Sequence, residues 1–495
     1  MRLPGGDLPT RFSNRLHALD YTVGGVRQLL GAVASEALER HETVPALRVL
    51  QRNHSALALA VRTFLLADPL SESEFSTLAD ALNLQAADVA GWVTVEGGLA
   101  RSAVEVAPYA FDDRDWLIAS DWSARQTGHA TAREHVLGVG GASTMLAQST
   151  VRPRVGRALD LGTGCGVQAL HLAEHSHHVV ATDISGRCLE VARFNVALNG
   201  LAVELRQGSL FSPAEGDQFD LIVSNPPFVI GSPVAYRRDY RDFALPRPDG
   251  AGDAVCAELV GQAQNHLREQ GWCQLLANWE ITDGDDWSAH PRGWLADSRL
   301  DAWVIQREVQ DPASYVEMWL RDAGTDRDAN YRAVYDEWLT SLEARGVLGI
   351  GFGLISMRRM DRREPVRRYQ HVPQEWHQPI GAEIERWFTV RDSLLADPSS
   401  VLRSPLSVGA DVVLEQHRLG AEPLLFVRRT GGMAWSGPID EFGATVLAAL
   451  NGVQTAAHAV LQAAEQLEVA PERALSQAIP VLGSLLEEGF VLGAP

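Results

Sequence analysis

The sequence predicts an α/β protein whose central part is a doubly wound, mainly parallel sheet. Over about residues 134–360, short apolar runs alternate with amphipathic helical stretches, and a glycine-rich turn joins the first run to the first helix. Alternation of this kind is typical of parallel sheets with helices on both faces. Seven runs are strand candidates: "RALDL", "HVVATD", "VELRQG", "FDLIVSN", "WCQLLANWE", "LDAWVIQ" and "GVLGIGFGLISM".

The flanks of this sheet predict two further domains. Residues 1–133 read as helices followed by helix, turn, helix and a short hairpin, which indicates either a winged-helix-like domain or a small helical cap. Residues 371–495 turn from strand-like to helical, so a second winged-helix-like domain is expected. The central domain, 134–370, carries a predicted helical insertion at about 311–345.

Composition narrows the functional classes. The chain has 495 residues, 46% hydrophobic and 21% charged, as in ordinary globular proteins of two to four domains. It has no apolar run long enough to span a bilayer, and its first residues lack the apolar core of a signal peptide. Four scattered cysteines form no C-x-x-C pair, so we expect no metal site, no disulfides and a cytoplasmic location.

All 43 basic residues are arginine, since the sequence contains no lysine. Schiff-base catalysis and P-loop nucleotide hydrolysis both need a lysine amine, so both are excluded. The net charge of −20 disfavours broad attachment to phosphate backbones. Two arginine clusters, 236–247 and 357–368, are interpreted as solvated faces rather than nucleic-acid tracks.

A nucleoside-cofactor pocket is predicted at the carboxyl edge of the sheet. In "DLGTGCG", three glycines (Gly162, Gly164 and Gly166) follow Asp160 between a strand and a helix. Glycine permits positive φ and close approach of a ligand to the backbone. Asp183 ends the next strand, where a carboxylate can accept hydrogen bonds from two ribose hydroxyls.

The motif "SNPPF" ends the fourth strand candidate. Each proline fixes its own φ, and a residue before proline is confined to extended conformations, so this turn is stiff. Together "DLGTGCG", "ATD", "GSLF" and "SNPPF", in this order, resemble a class I S-adenosylmethionine-dependent methyltransferase with a seven-stranded Rossmann-like sheet. Within that superfamily an Asn-Pro-Pro-aromatic motif marks enzymes that methylate a planar nitrogen, such as release-factor glutamine or nucleobase amino-group methyltransferases.

The resemblance implies S-adenosylmethionine as cofactor and assigns the site residues. Its cofactor positions are Asp160, Gly162, Gly164, Gly166, Asp183, Ser209, Leu210 and Asn225, although the family often has an acidic residue where Ser209 and Leu210 stand. Its catalytic positions are Asn225, Pro226, Pro227 and Phe228. The Asn225 side chain and the Pro226 carbonyl would accept hydrogen bonds from one NH₂ group, which directs its lone pair at the methyl group, while Phe228 would stack on the acceptor.

Several alternatives stay open at this stage. The expected acceptor is a macromolecule. It is either a nucleic acid, with RNA favoured over DNA, or a protein such as a release factor. The negative net charge of the chain favours a protein, whereas the flanking domains favour a nucleic acid. A small-molecule methyltransferase, a degenerate binding scaffold and an NAD(P)-dependent oxidoreductase are alternatives, but the last leaves "SNPPF" unexplained. The segment 134–146 either covers the cofactor's methionine part or joins two domains.

Overall fold

The computed structural model describes residues 3–85, 88, 91–127, 134–227, 229–231, 253–322, 329–418 and 423–493. Its contacts divide the chain into two compact units. The first comprises Met1–Thr144 and Arg154–His371, and the second comprises Met145–Pro153 and Val372–Pro495. The N-terminal region and the central sheet therefore fall in one unit. A separate domain at 1–133 stays a prediction.

The N-terminal region is mostly helical. Its small sheet has the order β1-β3-β2, and β4 and β5 form a hairpin. The order helix, strand, helix and hairpin over 56–102 follows the winged-helix outline, but most of the segment 86–90 lies outside the described residues, so that assignment stays a prediction. The elements are Leu8–Ala18, Val23–Leu30, Ala32–Glu39, Val44–Leu50, Ala56–Phe64, Glu72–Ala81 and Ala124–Thr127 (helices), and β1 (Leu70–Ser71), β2 (Val93–Glu96), β3 (Leu99–Ser102), β4 (Glu105–Phe111) and β5 (Arg114–Ser120).

The central sheet has eight strands in the part of the chain that is described, in the order β13-β11-β12-β10-β9-β6-β7-β8. All pairs from β8 to β10 are parallel, β12 is antiparallel to both neighbours, and β13 is parallel to β11. The predicted doubly wound, mainly parallel sheet is confirmed. The strands are β6 (Val155–Leu161), β7 (Ser176–Asp183), β8 (Glu204–Gln207), β9 (Phe219–Ser224), β10 (Leu267–Ile281), β11 (Leu300–Gln310), β12 (Gly349–Arg359) and β13 (Arg367–His371).

The eighth strand, β13, corrects the expected count of seven. Its sequence, "RRYQH", has no apolar run, and all of its residues are at least partly exposed. It forms at the sheet edge because its backbone pairs with β11, which sequence periodicity does not reveal.

Helices connect these strands and form the insertion. Two of them, Pro312–Asp322 and Tyr331–Ala344, lie between β11 and β12, where the insertion is predicted. The others are Gly141–Ser149, Val167–Ala173, Gly186–Leu198, Ala254–His266 and Ala289–Leu295, with a 3₁₀ turn at Ser212–Ala214.

The arginines of the 357–368 cluster are not simply a solvated face. Arg358 is 7% exposed and contacts the buried Asp301 at 3.3 Å. Arg362 contacts the same carboxylate at 3.3 Å, and Arg368 lies over the ring of Trp303. These guanidinium groups stabilise the sheet edge by ion pairing and stacking. The 236–247 cluster lies outside the described residues.

The N-terminal region and the sheet share one hydrophobic core. Trp92 lies 6.3 Å from Phe194 of the helix Gly186–Leu198, measured between ring centroids. On that helix the carboxamide of Asn195 accepts a hydrogen bond from the Ala119 N–H at 2.7 Å and donates to the Ala119 carbonyl at 2.9 Å. The side chain thereby provides hydrogen-bond partners for backbone groups at the unpaired edge of β5, which would otherwise be buried without partners.

The second unit has its own sheets and helices. Strands β14 (Pro405–Val408), β18 (Asn451–Thr455) and β19 (Val491–Leu492) form one sheet, in the order β18-β14-β19, and β15 (Val412–Arg418), β16 (Pro423–Arg429) and β17 (Ser436–Ile439) form another. From residue 441 the order is helix, strand, helix, helix, strand, and β14 pairs with both β18 and β19; a winged-helix-like domain here stays a prediction. The helices are Gly381–Ala396, Ser400–Arg403, Glu441–Ala449, Ala456–Gln466 and Pro471–Glu487.

Neither a membrane-spanning helix nor a metal-binding cluster occurs among the described residues. No described helix is both long and apolar enough to cross a membrane. Likewise, the described part of the chain holds no group of three or more His, Cys, Asp or Glu side chains placed to bind a metal ion.

Candidate active site

A cavity of about 490 Å³ opens at the carboxyl ends of β6, β7 and β9. The carboxyl ends of parallel strands meet at one edge of a sheet, which is where ligands of open α/β folds bind. The described lining belongs to the first unit. It comes from the segment 134–143, the glycine loop with the start of the helix after it, the ends of β7, β8 and β9 with the turns that follow them, single residues of two further helices, and the insertion.

The glycine loop forms one wall. Gly162 and Gly164 have φ of +77° and +55°, and a Cβ added at either position would meet no atom within 4 Å. The backbone there is left-handed and faces open space, so a ligand can approach it closely. Gly166, at φ +91°, serves packing instead, because an added Cβ would lie 3.2 Å from that of Ala192.

Asp160 lies beneath this loop rather than in the cavity wall. Its Oδ2 accepts hydrogen bonds from the Thr163 hydroxyl at 2.5 Å and the Ala169 N–H at 2.9 Å, which fixes the loop to the following helix. Complete burial raises the pKa of Asp160 to about 7. The geometry thus gives this residue a supporting place, while direct cofactor contact stays a prediction.

Asp183 ends β7 and lines the cavity. Its Oδ2 accepts a hydrogen bond from the Gly164 N–H at 2.9 Å, and its Oδ1 accepts one from the Ser185 N–H at 2.8 Å. Burial raises the pKa of Asp183, although these hydrogen bonds oppose the shift. The carboxylate couples β7 to the glycine loop and retains lone pairs for ligand hydroxyls.

Ser209 and Leu210 follow β8 and also line the cavity. Leu210 has φ +47°, a left-handed conformation that is uncommon for a residue with a branched side chain. The wall at this position is therefore apolar, with one hydroxyl and no carboxylate.

Asn225 follows β9, at the predicted motif. Its Nδ2 donates a hydrogen bond to the Ser143 hydroxyl at 3.2 Å. Its Oδ1 is buried and accepts no hydrogen bond from any described residue. A buried amide oxygen without a donor costs free energy, so its presence in a cavity wall marks a position where a ligand N–H can bind.

The residues after Asn225 are tied to the insertion. Pro226 and Pro227 line the cavity, whereas the predicted stacking residue Phe228 lies outside the described residues. The Ile230 N–H donates to the Tyr315 hydroxyl at 2.8 Å, and the indole of Trp338 donates to the Ile230 carbonyl at 2.8 Å. The proline turn is thereby anchored at its far end by both insertion helices.

Several lining residues were not predicted from the sequence. Ser143 and Gln168 lie in the wall, as do Trp319 and Asp322 from the end of the first insertion helix. Most of the segment 134–143 lines the cavity too, while its covering of the cofactor's methionine part stays a prediction. Ser143 sits in a glycine-rich segment noticed in the sequence, but no motif marked the insertion residues.

Thiolate chemistry is unfavourable in this cavity. Cys165 and Cys188 both contribute to the wall, and burial raises the pKa of Cys165 to about 11 and the pKa of Cys188 further still. Both thiols are therefore protonated at neutral pH and are poor nucleophiles.

Comparison with known proteins identifies the central region. Residues 138–239 match the methyltransferase small domain family, and residues 18–104 match a family described as a domain of unknown function. The predicted resemblance to class I S-adenosylmethionine-dependent methyltransferases is thus confirmed, and the family match covers residues 138–239. The cofactor of that class is S-adenosylmethionine.

Curated relatives match part of the chain. The chain is 37% identical over 130 residues to the release factor glutamine methyltransferase of Xylella fastidiosa, covering 25% of this chain and 47% of the relative. It is 43% identical over 138 residues to ribosomal RNA small subunit methyltransferase C of Klebsiella pneumoniae (27% and 35%). It is 38% identical over 165 residues to the release factor glutamine methyltransferase of Deinococcus radiodurans (31% and 57%). The chain thus spans about half or less of two relatives and little more of the third.

Proposed function

We propose that this protein is an S-adenosylmethionine-dependent N-methyltransferase that acts on a planar NH₂ group of a macromolecule. The observation that carries the proposal is the buried, donorless Oδ1 of Asn225, in the same cavity as the open glycine loop. An acceptor atom at that position suits an incoming amide or amine hydrogen.

The residues present fit the cofactor. Gly162 and Gly164 leave open space beside left-handed backbone, and the carboxylate of Asp183 stands at the end of β7 where ribose hydroxyls can donate to it. S-adenosylmethionine would supply an activated methyl group. Ser209 and Leu210 would bound the adenine side of the cavity, and Asp160 would hold the loop in shape from below.

Asn225 would prepare the acceptor. An amide or exocyclic amine is a weak nucleophile because its lone pair is delocalised into the adjacent π system. Hydrogen bonds from its N–H groups to the Asn225 Oδ1 and to the Pro226 carbonyl would localise that lone pair and aim it at the methyl group. The two prolines and the anchor at Ile230 hold both acceptor atoms in place. No strong base is required, because the methylated nitrogen then loses its proton readily to water.

Between the two macromolecular acceptors, we favour a protein carboxamide over a nucleobase. In chain order the helix Pro471–Glu487 corresponds to the recognition helix of the expected winged helix. Its charged residues are Glu472, Arg473 and Glu487, and Glu487 is paired with Arg391 at 3.1 Å. Val481 on the same helix is 51% exposed. The two exposed charges, Glu472 and Arg473, have opposite signs, so the helix offers no net positive charge to a phosphate backbone, and its exposed valine suits a protein surface better. A cytoplasmic location follows from this substrate class.

The test uses the full-length protein and labelled cofactor. Calorimetry should show binding of S-adenosylmethionine and S-adenosylhomocysteine but not of NADH. Incubation with a lysate and S-adenosyl-[methyl-³H]methionine should then give label that protease removes and RNase does not. Asn225→Ala should abolish transfer and leave cofactor affinity within about twofold, because Asn225 contacts the acceptor.

Asn14→Ala is the matched control, since Asn14 is exposed and remote in sequence from the cavity. If RNase rather than protease removes the label, the acceptor is a nucleobase and not a protein carboxamide. Binding of NADH alone, or full transfer by Asn225→Ala, would contradict the proposed function.

A further inference from the structure

The orientation of the Asn225 side chain depends on a hydrogen bond outside its own motif. Oδ1 and Nδ2 occupy nearly interchangeable positions, so a carboxamide is oriented only by its partners. Here Nδ2 donates to the Ser143 Oγ at 3.2 Å, and this orientation leaves the buried Oδ1 without a donor among the described residues. Ser143 lies in the first turn of the helix Gly141–Ser149, 82 residues away in sequence.

The backbone of Ser143 is itself held in place by a residue that follows the glycine loop. The Gln168 Nε2 donates a hydrogen bond to the Ser143 backbone carbonyl at 2.7 Å. Gln168 is 4% exposed and lies in the helix Val167–Ala173, which begins directly after the glycine loop. A chain of two hydrogen bonds thus runs from the cofactor loop through Gln168 and Ser143 to Asn225.

We propose that Ser143 and Gln168 are positioning residues that hold the Asn225 carboxamide with Oδ1 turned toward the acceptor. This inference rests on the proposed function, because it assigns Oδ1 the task of accepting a hydrogen bond from NH₂. Neither residue needs to touch the acceptor, since each acts through the next.

The chemistry explains why the orientation matters. With Oδ1 toward the acceptor, an NH₂ group finds an acceptor atom, and the Ser143 hydroxyl accepts the hydrogen bond from Nδ2. In the flipped carboxamide two N–H donors would face another donor group, and no hydrogen bond could form. Without the Ser143 hydroxyl, Nδ2 has no partner in the productive orientation. That orientation is then no longer more stable than the flipped one.

The test is Ser143→Ala, with Thr144→Ala as the matched control. Thr144 is the next residue of the same helix, also loses a hydroxyl, and is not in the cavity wall. In protein labelled with [¹⁵N]asparagine and saturated with S-adenosylhomocysteine, the Asn225 Nδ2 signals are identified by their loss in Asn225→Ala. These signals should shift and exchange faster with solvent in Ser143→Ala, remain unchanged in Thr144→Ala, and return in Ser143→Thr.

Turnover provides the second measurement. Ser143→Ala should lower kcat by about fivefold to tenfold, the value of one ordinary hydrogen bond, while cofactor affinity stays within about twofold. Gln168→Met should lower kcat in the same direction. Unchanged Asn225 signals in Ser143→Ala would overturn the inference, and so would an equal loss of cofactor affinity and kcat. Because the spectrum is recorded without an acceptor, it stays decisive even if the proposed function fails.

Discussion

The two ends of the chain have a similar order of elements but different relations to the rest of the molecule. The N-terminal region shares a hydrophobic core with the helix Gly186–Leu198 and belongs to the same compact unit as the central sheet. The C-terminal region forms most of a second unit, which has its own buried ion pairs around Arg429.

The difference teaches what each region can do to the active site. Asn195, which satisfies β5 of the N-terminal region, also donates a hydrogen bond to the Cys165 carbonyl in the glycine loop at 2.8 Å. The N-terminal region is therefore structurally coupled to the cofactor pocket. By contrast, every described lining residue of the cavity belongs to the first unit.

The largest effect is expected from Asn195→Ala. The substitution leaves three buried backbone groups without partners, the Ala119 N–H, the Ala119 carbonyl and the Cys165 carbonyl. At about 1–3 kcal/mol for each group, the first unit should lose about 5 kcal/mol of its free energy of unfolding. Denaturant unfolding measures this, with Asn14→Ala as control. A loss below about 1 kcal/mol would show that the N-terminal region is not held as described.

A pH dependence confined to the first unit should be next in size. Burial raises the pKa of Asp160 to about 7, so the folded carboxyl keeps its proton between pH 4 and 7 while the unfolded one releases it. The stability of the cofactor-free protein should therefore fall by about 4 kcal/mol as the pH rises through this window.

Asp160→Asn isolates this contribution, because an amide does not titrate. Denaturant unfolding measures the free energy of unfolding of both proteins. The value for wild type minus the value for the variant should fall from pH 4 to 7 and level off above pH 7. If it rises with pH instead, the carboxylate is stabilised in the folded protein, contrary to its burial.

Arg429→Ala should destabilise the second unit by about 3 kcal/mol. The guanidinium is 7% exposed and contacts the carboxylates of Glu383 at 2.6 Å and Asp411 at 2.8 Å. Removing one member of a buried ion pair leaves the others uncompensated. Scanning calorimetry should show one transition lowered and the other unchanged. Arg403→Ala, at an exposed ion pair, is the control and should change stability by less than about 1 kcal/mol.

The smallest effect should be that of Arg429→Ala on cofactor affinity. We expect the Kd for S-adenosylmethionine to change by less than about twofold below the melting range of either unit, whereas Asn195→Ala should weaken binding by about tenfold through the Cys165 carbonyl. Calorimetric titration of both variants checks this. Equal weakening would show that the cofactor pocket depends on both regions alike.

Sequence patterns located much of the central sheet and of the site because both are encoded locally. Seven strands carry apolar runs. Gly162, Gly164 and Asn225 follow strands that the pattern had already marked, and Asp183 ends one. Once the strands are parallel, their carboxyl ends must converge, and the structure accordingly places these four residues in or beside one cavity.

What only the tertiary structure decided are contacts between segments distant in the chain. Strand β13 has no apolar signal and exists through pairing with β11. Asp160 stands next to the glycine loop in sequence, yet packing turns its carboxylate beneath that loop, where burial raises its pKa. Ser143 and Asn225 are 82 residues apart, and Trp319 reaches the same cavity from an insertion. Local motifs can be recognised because they follow from backbone geometry and hydrophobic periodicity. Contacts between distant residues depend on how whole helices and strands pack together, and no short stretch of sequence contains that information.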